Sequence, residues 1–329
     1  MEKQAGIQAA RGVAAIGILY FHSWVALVRF PEGRSFQIPI WTTYGYLAVD
    51  LFFAISGYVI CLVVTKPQFR ALPFLIKRSF RLYPLWLVTL TLFGALALFW
   101  RAATETETWQ YFLYSATLLP TRELPFYNVG WTLQHEMVFY FLAAVLVPVG
   151  GVSALMAFLA ASSIAAYTIE MPWYLSAFAL HHSEFLAGML VFILAPRLKR
   201  FGVVLPLLVG FGLLWALMVF AGYIYIGPAT FFIILAFANL RTVPKWVVAL
   251  GDTSYSIYLI HSVVFLVASA AASKLLARPL WLAEPLRAAS MAVIVLLAFI
   301  SYRYLEKPLV RVGNSVAARS EMKKQPRTA

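Results

Sequence analysis

Apolar stretches recur along the whole chain at about the length that is needed to cross a membrane. The hydrocarbon core of a bilayer is ~30 Å thick, so a spanning helix needs about 20 mostly apolar residues. Short joints that are polar or contain Pro and Gly separate the stretches, which favours helices over a barrel. The pattern predicts an all-α polytopic bundle of ten transmembrane helices, near residues 7–29, 42–64, 73–100, 131–149, 151–169, 181–196, 201–221, 224–240, 246–271 and 286–304.

The composition excludes a soluble globular protein. Hydrophobic residues make up 62% of the chain, charged residues only 12%, and the mean hydropathy is +0.82. This leaves too little polar surface to cover a water-soluble domain. We expect one transmembrane domain over residues 1–312, followed by a short basic cytoplasmic tail over 313–329 that is disordered or faces lipid. The single cysteine, Cys61, excludes an internal disulfide.

The basic residues indicate the orientation of the bundle. If the N-terminus is cytoplasmic, 19 of the 26 Lys and Arg residues fall at inner helix ends or in inner loops. Such an excess is typical of the cytoplasmic side. The pattern therefore predicts that both termini are cytoplasmic. The net charge of +13 follows this topology and suits anionic lipid headgroups, and nothing in it favours nucleic acid.

Two ionisable residues, Arg11 and His22, lie inside the first apolar span, where such side chains are costly and usually functional. Eleven residues at ~100° each make three turns plus ~20°, so both side chains share one helical face, about 16 Å apart along the axis. We therefore expect the two side chains to lie at two different depths of the membrane. The structural alternatives are that Arg11 extends to the lipid headgroups and that His22 makes an interhelical hydrogen bond.

The other ionisable residues of the spans divide by depth in the same way. Counting from the span ends places most of the acid and base groups in the outer half, namely Asp50, His135, Glu136, His181, His182, Glu184 and His261. A basic group, Lys77, Arg78 and Arg81, opens the third span at the inner face, where the positive-inside rule alone would also put it. Phosphates would bind at the inner face and a histidine base could act in the outer half, as a coenzyme A thioester would require. The depths alone do not name the donor.

Five blocks of sequence occur in an order that resembles a known family. They are Arg11 and His22 with ten residues between them, VDLFFAISGYVI from Val49, KRSFRLYPLW from Lys77, GWTLQHEMVFYF from Gly130, and the late pair GDTSYSIYLIH from Gly251 and YLEKPL from Tyr304. Together they resemble the acyltransferase 3 family of membrane O-acyltransferases, in its exopolysaccharide-production branch. The resemblance covers the whole chain, although any one block alone would be weak.

The resemblance implies transfer of an acetyl or similar short acyl group from cytoplasmic acyl-CoA to a sugar hydroxyl. His22 would act as general base, or would carry a transient acyl-imidazole. Either Glu136 or Asp50 would orient it. Acyl-CoA would be bound by Arg11, Lys77, Arg78 and Arg81, and the acceptor side would be supported by Trp131, His135, Tyr255 and His261.

The same resemblance implies the partners and the location of the protein. They are acyl-CoA as donor substrate, a surface glycan or lipid-linked sugar as acceptor, and membrane lipids, without nucleic acid and with homo-oligomerisation left open. No permanently bound cofactor is expected. The location would be the bacterial inner membrane.

Several remaining residues have plainer interpretations. His181, His182 and Glu184 are typical of an interfacial polar patch, and Phe139 stands where a zinc motif begun at His135 would need its second histidine, so no metal is expected. Near the C-terminus, Glu306 is expected to pair with Arg303 or Lys307, and Pro308 to end the helix.

Two other functions fit parts of the pattern. A transporter or flippase of a glycan or lipid intermediate would also have buried charges and ten spans, although we see no internal repeat. A haem protein could use His22 and His261 as axial ligands, but the rest of the charged layout would then have no role.

Overall fold

The computed structural model describes residues 4–26, 38–100, 108–176, 178–220, 226–273 and 280–322. Every regular element in these ranges is helical, as predicted. The α-helices are α1 (Ala5–Ala26), α2 (Pro39–Tyr44), α3 (Ala48–Val64), α4 (Ala71–Trp100), α5 (Trp109–Ala116), α6 (Gly130–Thr168), α7 (Trp173–Ser176), α8 (His182–Leu198), α9 (Val204–Phe220), α10 (Gly227–Ala238), α11 (Lys245–Ser273), α12 (Leu280–Ser301) and α13 (Lys307–Met322).

Five helical stretches in the described residues are long and apolar enough to cross a membrane. They are Trp41–Val64, Ala71–Phe99, Gly130–Thr168, Lys245–Ala271 and Glu284–Glu321. A sixth is added if α8 and α9, which meet at a bend of 119°, are counted as one broken span. The chain is therefore a helical membrane protein, with helices near all ten predicted spans. Among these, α10 has only 12 residues.

The longest helix, α6, is two helices joined at a glycine pair. Its 39 residues would reach about 58 Å if straight, which is nearly twice the thickness of a hydrocarbon core. The backbone leaves helical geometry at Gly150 (φ −135°, ψ 17°) and at Gly151 (φ 70°, ψ −171°). The conformation of Gly151 is open essentially to glycine alone. The predicted boundary between the fourth and fifth spans, at 149–151, is confirmed as a break.

The C-terminal residues form more helix than the sequence predicts. A π-helix, Tyr302–Glu306, follows α12, and α13 then continues to Met322. The expectation that Pro308 ends the helix is wrong, because Lys307 before it keeps helical geometry (φ −63°, ψ −42°) and the helix continues to Glu321. The wider turn of the π-helix directly before Pro308 accommodates its ring and its missing N–H group. A Cβ atom on Gly313 would lie 2.4 Å from the Cβ of Phe80, so α13 packs closely on α4.

The helix α1 lies at the centre of the part of the bundle that carries the candidate residues. It contacts α3, α10, α11 and α12. Against α11 the two backbones almost touch, since a Cβ atom on Gly251 would be 2.0 Å from the carbonyl oxygen of Gln8. Further along, the His22 ring packs on the His261 ring. The contacts run in the same order on both helices, so α1 and α11 are parallel.

A second close parallel pair is formed by α3 and α8. Asp50 meets His181 where the two helices begin, and further along Tyr58 packs on Phe192. The contacts run in the same order on both helices, so α3 and α8 are parallel.

The backbones of α3 and α8 also lie very close together. A Cβ atom on Gly188 would lie 1.7 Å from the carbonyl oxygen of Ala54, and one on Gly57 would lie 2.0 Å from that of Phe185. Small residues permit this kind of approach in membrane proteins, where apolar side chains gain little by leaving lipid for protein. Both α1 and α11 line the cavity described below, and from the second pair α3 lines it.

We expect Gly251→Ala to destabilise the protein, because the added methyl group would meet the backbone of α1 and force α1 and α11 apart. Overpacking of this kind costs about 1–3 kcal/mol. The matched control is Gly212→Ala on α9, where nothing lies within 4 Å of the added Cβ and alanine is the better helix former. Thermal unfolding in detergent should show a lower midpoint for Gly251→Ala only. Equal midpoints would mean that the close contact is not needed.

Candidate functional site

A cavity lies among α1, α3, α4, α6 and α11, and its polar lining contains four of the predicted site residues, Arg11, Arg81, Glu136 and Tyr255. The other polar residues of its wall are Ser56, Thr132, Ser254 and Tyr258. The rest of the wall is apolar and consists of Val49, Phe52, Phe53, Leu82 and Leu133. The cavity therefore combines two cations and one carboxylate with an apolar part of the wall, which suits a ligand that has both an anionic part and a thin uncharged part.

Glu136 is held by two hydroxyl groups. The Ser56 hydroxyl donates to its Oε1 atom at 2.7 Å, and the Tyr140 hydroxyl donates to the same oxygen. Tyr140 lies one helical turn after Glu136 and is buried. The carboxylate is thus fixed at the cavity wall, within electrostatic range of Arg11.

The predicted separation of Glu136 from the arginines is wrong. The sequence places it among outer acid and base groups, apart from the arginines, but it lines the same cavity as Arg11 and Arg81. Helix α4 begins at Ala71, so Arg81 lies ~15 Å along it, and Glu136 lies ~9 Å along α6 from Gly130. The two side chains approach from opposite ends and meet inside the bundle.

The basic residues of α4 do not all face the cavity. Arg81 lines it. The Arg78 guanidinium lies over the rings of Phe74 and Tyr140, at 5.6 Å and 5.3 Å from their centroids. Cation–π contacts of this kind partly compensate a cation for lost water. Lys77 is exposed. The arginine group at the cavity is therefore Arg11 and Arg81, with Arg78 behind it at Tyr140.

Glu306 is a buried carboxylate that the sequence reasoning assigned to the wrong partners. It is 5% exposed and accepts a hydrogen bond from the Ser256 hydroxyl at 3.0 Å, whereas Arg303 and Lys307 are exposed. The wider turn of the π-helix Tyr302–Glu306 explains the difference, because residues three apart no longer share a face. Glu306 interacts electrostatically with Arg81 and so belongs to the surroundings of the cavity.

His22 and His261 form a pair of rings at the other end of α1. Their centroids are 4.8 Å apart and the planes are tilted by 42°. Rings in direct contact leave no room for a macrocycle between them, which removes the haem interpretation. Among the described residues, His22 shows ring contacts only, with His261 and Phe21, so no hydrogen bond within that part of the chain occupies its nitrogen lone pair.

The tautomer of His261 follows from its hydrogen bonds. Its Nδ1 atom lies 2.5 Å from the Tyr258 carbonyl oxygen, which can only accept, so Nδ1 carries the proton. The Nε2 atom then accepts from the Ser262 hydroxyl at 3.1 Å. His261 is fully buried. It is therefore a neutral ring, fixed in orientation, against which His22 packs.

Tyr258 connects the histidine pair to the cavity. Its ring is 5.6 Å from that of His261, and it also lines the cavity. Its hydroxyl donates to the Val129 carbonyl at 3.0 Å and accepts from Thr132 at 2.9 Å. One turn away, the Tyr255 hydroxyl donates to the Leu82 carbonyl at 2.6 Å and joins α11 to α4.

Asp50 has a different partner from the one considered. It was one of two candidates for orienting His22, but its carboxylate Oδ1 lies 3.2 Å from Nδ1 of His181. The rings of Trp131 and His135 pack on that of His181, at 5.5 Å and 5.1 Å. These residues form a second polar cluster, which Phe53 links to the cavity because its ring also packs on His181, at 4.7 Å.

Three residues of the site were missed by sequence reasoning, namely Ser56, Tyr140 and Tyr258. The signal for two of them was present, because Tyr140 lies four residues after Glu136 and Tyr258 three residues before His261, spacings that put side chains on one helical face. Nothing in the sequence singles out Ser56 beyond its place in the block from Val49 to Ile60.

Comparisons with known proteins identify the family of the chain. The sequence matches the family described as Acyltransferase domain over residues 4–303. It is 30% identical over 304 residues to the exopolysaccharide production protein ExoZ of Rhizobium meliloti (strain 1021), covering 83% of this chain and 92% of that protein. It is also 37% identical over 89 residues to Protein 2 in the picA locus of Rhizobium radiobacter, covering 26% and 41% of the two chains. No solved structure matches the chain.

Proposed function

Because the chain belongs to this acyltransferase family, we propose that it moves an acetyl or similar short acyl group from cytoplasmic acyl-CoA to a sugar hydroxyl. The observation that carries the proposal is that one helix, α1, presents Arg11 at a cavity with a second arginine and His22 beside a fixed histidine. The arginine end of α1 would bind a phosphorylated donor, and the histidine end would activate the hydroxyl group of an acceptor.

The acceptor class is inferred from the relative that covers most of the chain. ExoZ is named for exopolysaccharide production, and we transfer to this chain the corresponding acceptor, a sugar on an exported or lipid-linked glycan. Such a sugar would reach a membrane-embedded acyltransferase of this family from the outer surface.

The arginine end of the cavity supports the assignment of the donor. Arg11 and Arg81 are partly buried and line the cavity with one carboxylate, Glu136. Glu306 also interacts with Arg81, and Arg78 lies behind the wall at Tyr140. Three guanidinium groups therefore stand against two carboxylates, which leaves a net positive charge at this end. Guanidinium groups bind phosphate through paired hydrogen bonds. Glu136 and its two hydroxyl donors would keep the arginines apart and oriented while the site is empty.

The chemistry proposed for the histidine end is general base catalysis. His22 would remove the proton of the acceptor hydroxyl as its oxygen attacks the thioester carbonyl, and the carbon–sulfur bond would then break. The proton would pass from His22 to the leaving CoA thiolate, so that the acylated sugar and free CoA result. His261 would hold the His22 ring in position. A route through an acyl-imidazole on His22 would use the same residues in two steps.

The topology proposed is ten spans with both termini cytoplasmic, in a bacterial inner membrane. The two parallel helix pairs support it, because α1 with α11 are the first and ninth spans in this count, and α3 with α8 are the second and sixth. In each pair an even number of crossings separates the two, as parallel helices require. This orientation puts Arg11 nearer the cytoplasm and His22 nearer the outside.

We expect His22→Ala to lower acyl transfer by at least about 100-fold, because positioned proton transfer contributes about 10²–10⁴-fold. The assay is release of CoA from acetyl-CoA by purified protein in detergent, with host glycan or lipid extract as acceptor. The control is Val25→Ala, an exposed truncation further along α1, which should keep full activity. Unchanged transfer by folded His22→Ala protein would refute the assignment of the base.

We expect Arg81→Ala and Arg11→Ala each to weaken acetyl-CoA binding by about tenfold or more, since a hydrogen bond to a charged group contributes about 1.5–3 kcal/mol. Arg241→Ala removes the same charge at an exposed position and should leave the affinity unchanged. Isothermal titration of detergent-solubilised protein measures this. If all three variants bind equally well, the arginines serve topology and the donor binds elsewhere.

Reporter fusions are expected to place both ends of the chain in the cytoplasm. A phosphatase fused after Ala329 should be inactive in the bacterial host, and a cytoplasmic fluorescent reporter at the same site should be active. The opposite result would mean that the number of crossings is odd, and it would contradict ten spans.

A further inference from the structure

In the second polar cluster, Asp50 and His181 lie beside a third ionisable residue, Glu184. The cluster of these three residues brings metal-ligating side chains together from two helices. Asp50 lies near the start of α3, and the other two lie at the start of α8. One ligand atom from each residue lies within 4.8 Å of the others. None of the proposed steps of acyl transfer uses this cluster.

The two carboxylates of the cluster are buried and repel each other. Asp50 is 1% and Glu184 is 2% exposed. The largest charge interactions of Glu184 are with Asp50, which repels it, and with His181. Two like charges held close together out of water are costly, and a cation between them would lower that cost.

Glu184 also has an oxygen without a partner. Its Oε2 atom is buried and has no hydrogen bond to any described residue. Buried polar atoms are nearly always satisfied, and an exception needs an explanation. A bound cation at the centre of the cluster would provide one.

We propose that Asp50, His181 and Glu184 bind a divalent first-row cation of the Zn²⁺ or Mn²⁺ type. One imidazole with two carboxylates is a mixed donor set that suits these ions. A neutral histidine and two carboxylates carry a charge of −2, which the ion balances. Ligand distances of ~2.0–2.2 Å put tetrahedral donors about 3.4 Å apart, so binding would draw the most distant pair together by about 1 Å.

The surroundings of the cluster hold these ligands in place. His181 adopts a left-handed backbone conformation (φ 61°, ψ 7°), which costs a residue other than glycine about 1–2 kcal/mol. Its ring is enclosed by those of Phe53, Trp131 and His135. The close contact of α3 with α8 fixes Asp50 beside the start of α8. Three protein ligands would leave a coordination position open for water.

The test is metal binding by the full-length protein in detergent, purified through a tag that contains no histidine. The protein is stripped with a chelator, reloaded separately with ZnCl₂ and MnCl₂, and desalted. Metal content is then measured by plasma mass spectrometry, and thermal unfolding is recorded with and without metal. We expect about one ion per chain and a higher unfolding midpoint with at least one of the two metals.

The variants Asp50→Asn and Glu184→Gln keep the side-chain shapes but remove one charge each. Each should lower the metal affinity by more than about 100-fold, since loss of even an outer partner of a ligand costs about 10–100-fold. Glu170→Gln, at an exposed carboxylate outside the cluster, should bind as the wild type does. If either charge variant fails to fold, His181→Asn serves in its place.

Two results would overturn the proposal. One is wild-type protein that retains neither metal and shows no change of its unfolding midpoint, which would make the cluster a proton-balanced ion pair. The other is stoichiometric binding that the cluster variants retain, which would place the ion elsewhere. Neither readout involves acyl-CoA, so the outcome is independent of the proposed transferase activity.

Discussion

Contact between the backbones of α1 and α11 is the constraint on which the candidate site depends. Gly251 lets α11 lie directly against Gln8 of α1. Because the two helices are parallel, that one contact sets two others. It places Arg11 at the cavity that Ser254 and Tyr255 also line, and about 16 Å further along it places His22 on His261. A side chain at Gly251 would separate both ends at once.

A second constraint is that buried charged side chains need partners. The described residues provide these partners in different ways. At the cavity, Glu136 has two hydroxyl donors and lies near arginines, and Glu306 has Ser256. Arg78 uses aromatic faces instead. Ionisable groups within a membrane are rare and usually functional, and here most of the buried ones lie on or beside helices that border the cavity or the cluster of Asp50. Arg287 is an exception, since it is buried on α12, where its guanidinium packs over the Trp24 ring. The polar groups of this bundle are therefore concentrated on one set of helices, while α9, for example, is apolar throughout.

Features that depend on one helix were predictable from the sequence, and those that depend on several were not. The shared face of Arg11 and His22 and the break at Gly150–Gly151 follow from local rules of periodicity and glycine chemistry, and both are confirmed. The meeting of Glu136 with the arginines was not predicted, because it depends on how α4 and α6 are placed relative to each other, which no local pattern encodes. The same limitation hid the convergence of Asp50 with His181, since the two are more than a hundred residues apart in the chain.

Tyr258 is the point at which the two ends of the site meet, and its fixed position limits how a donor could reach His22. Its hydroxyl is bound on both sides, by Val129 and Thr132, so its ring is a rigid wall between the cavity and the histidine pair. If the donor binds as proposed above, with its phosphates at Arg11 and Arg81, its acyl end would have to pass along the face of this ring. Val49, Phe52 and Leu133 line the cavity beside it. The proposed coenzyme A thioester would meet this requirement, because it carries its acyl group at the end of a narrow chain.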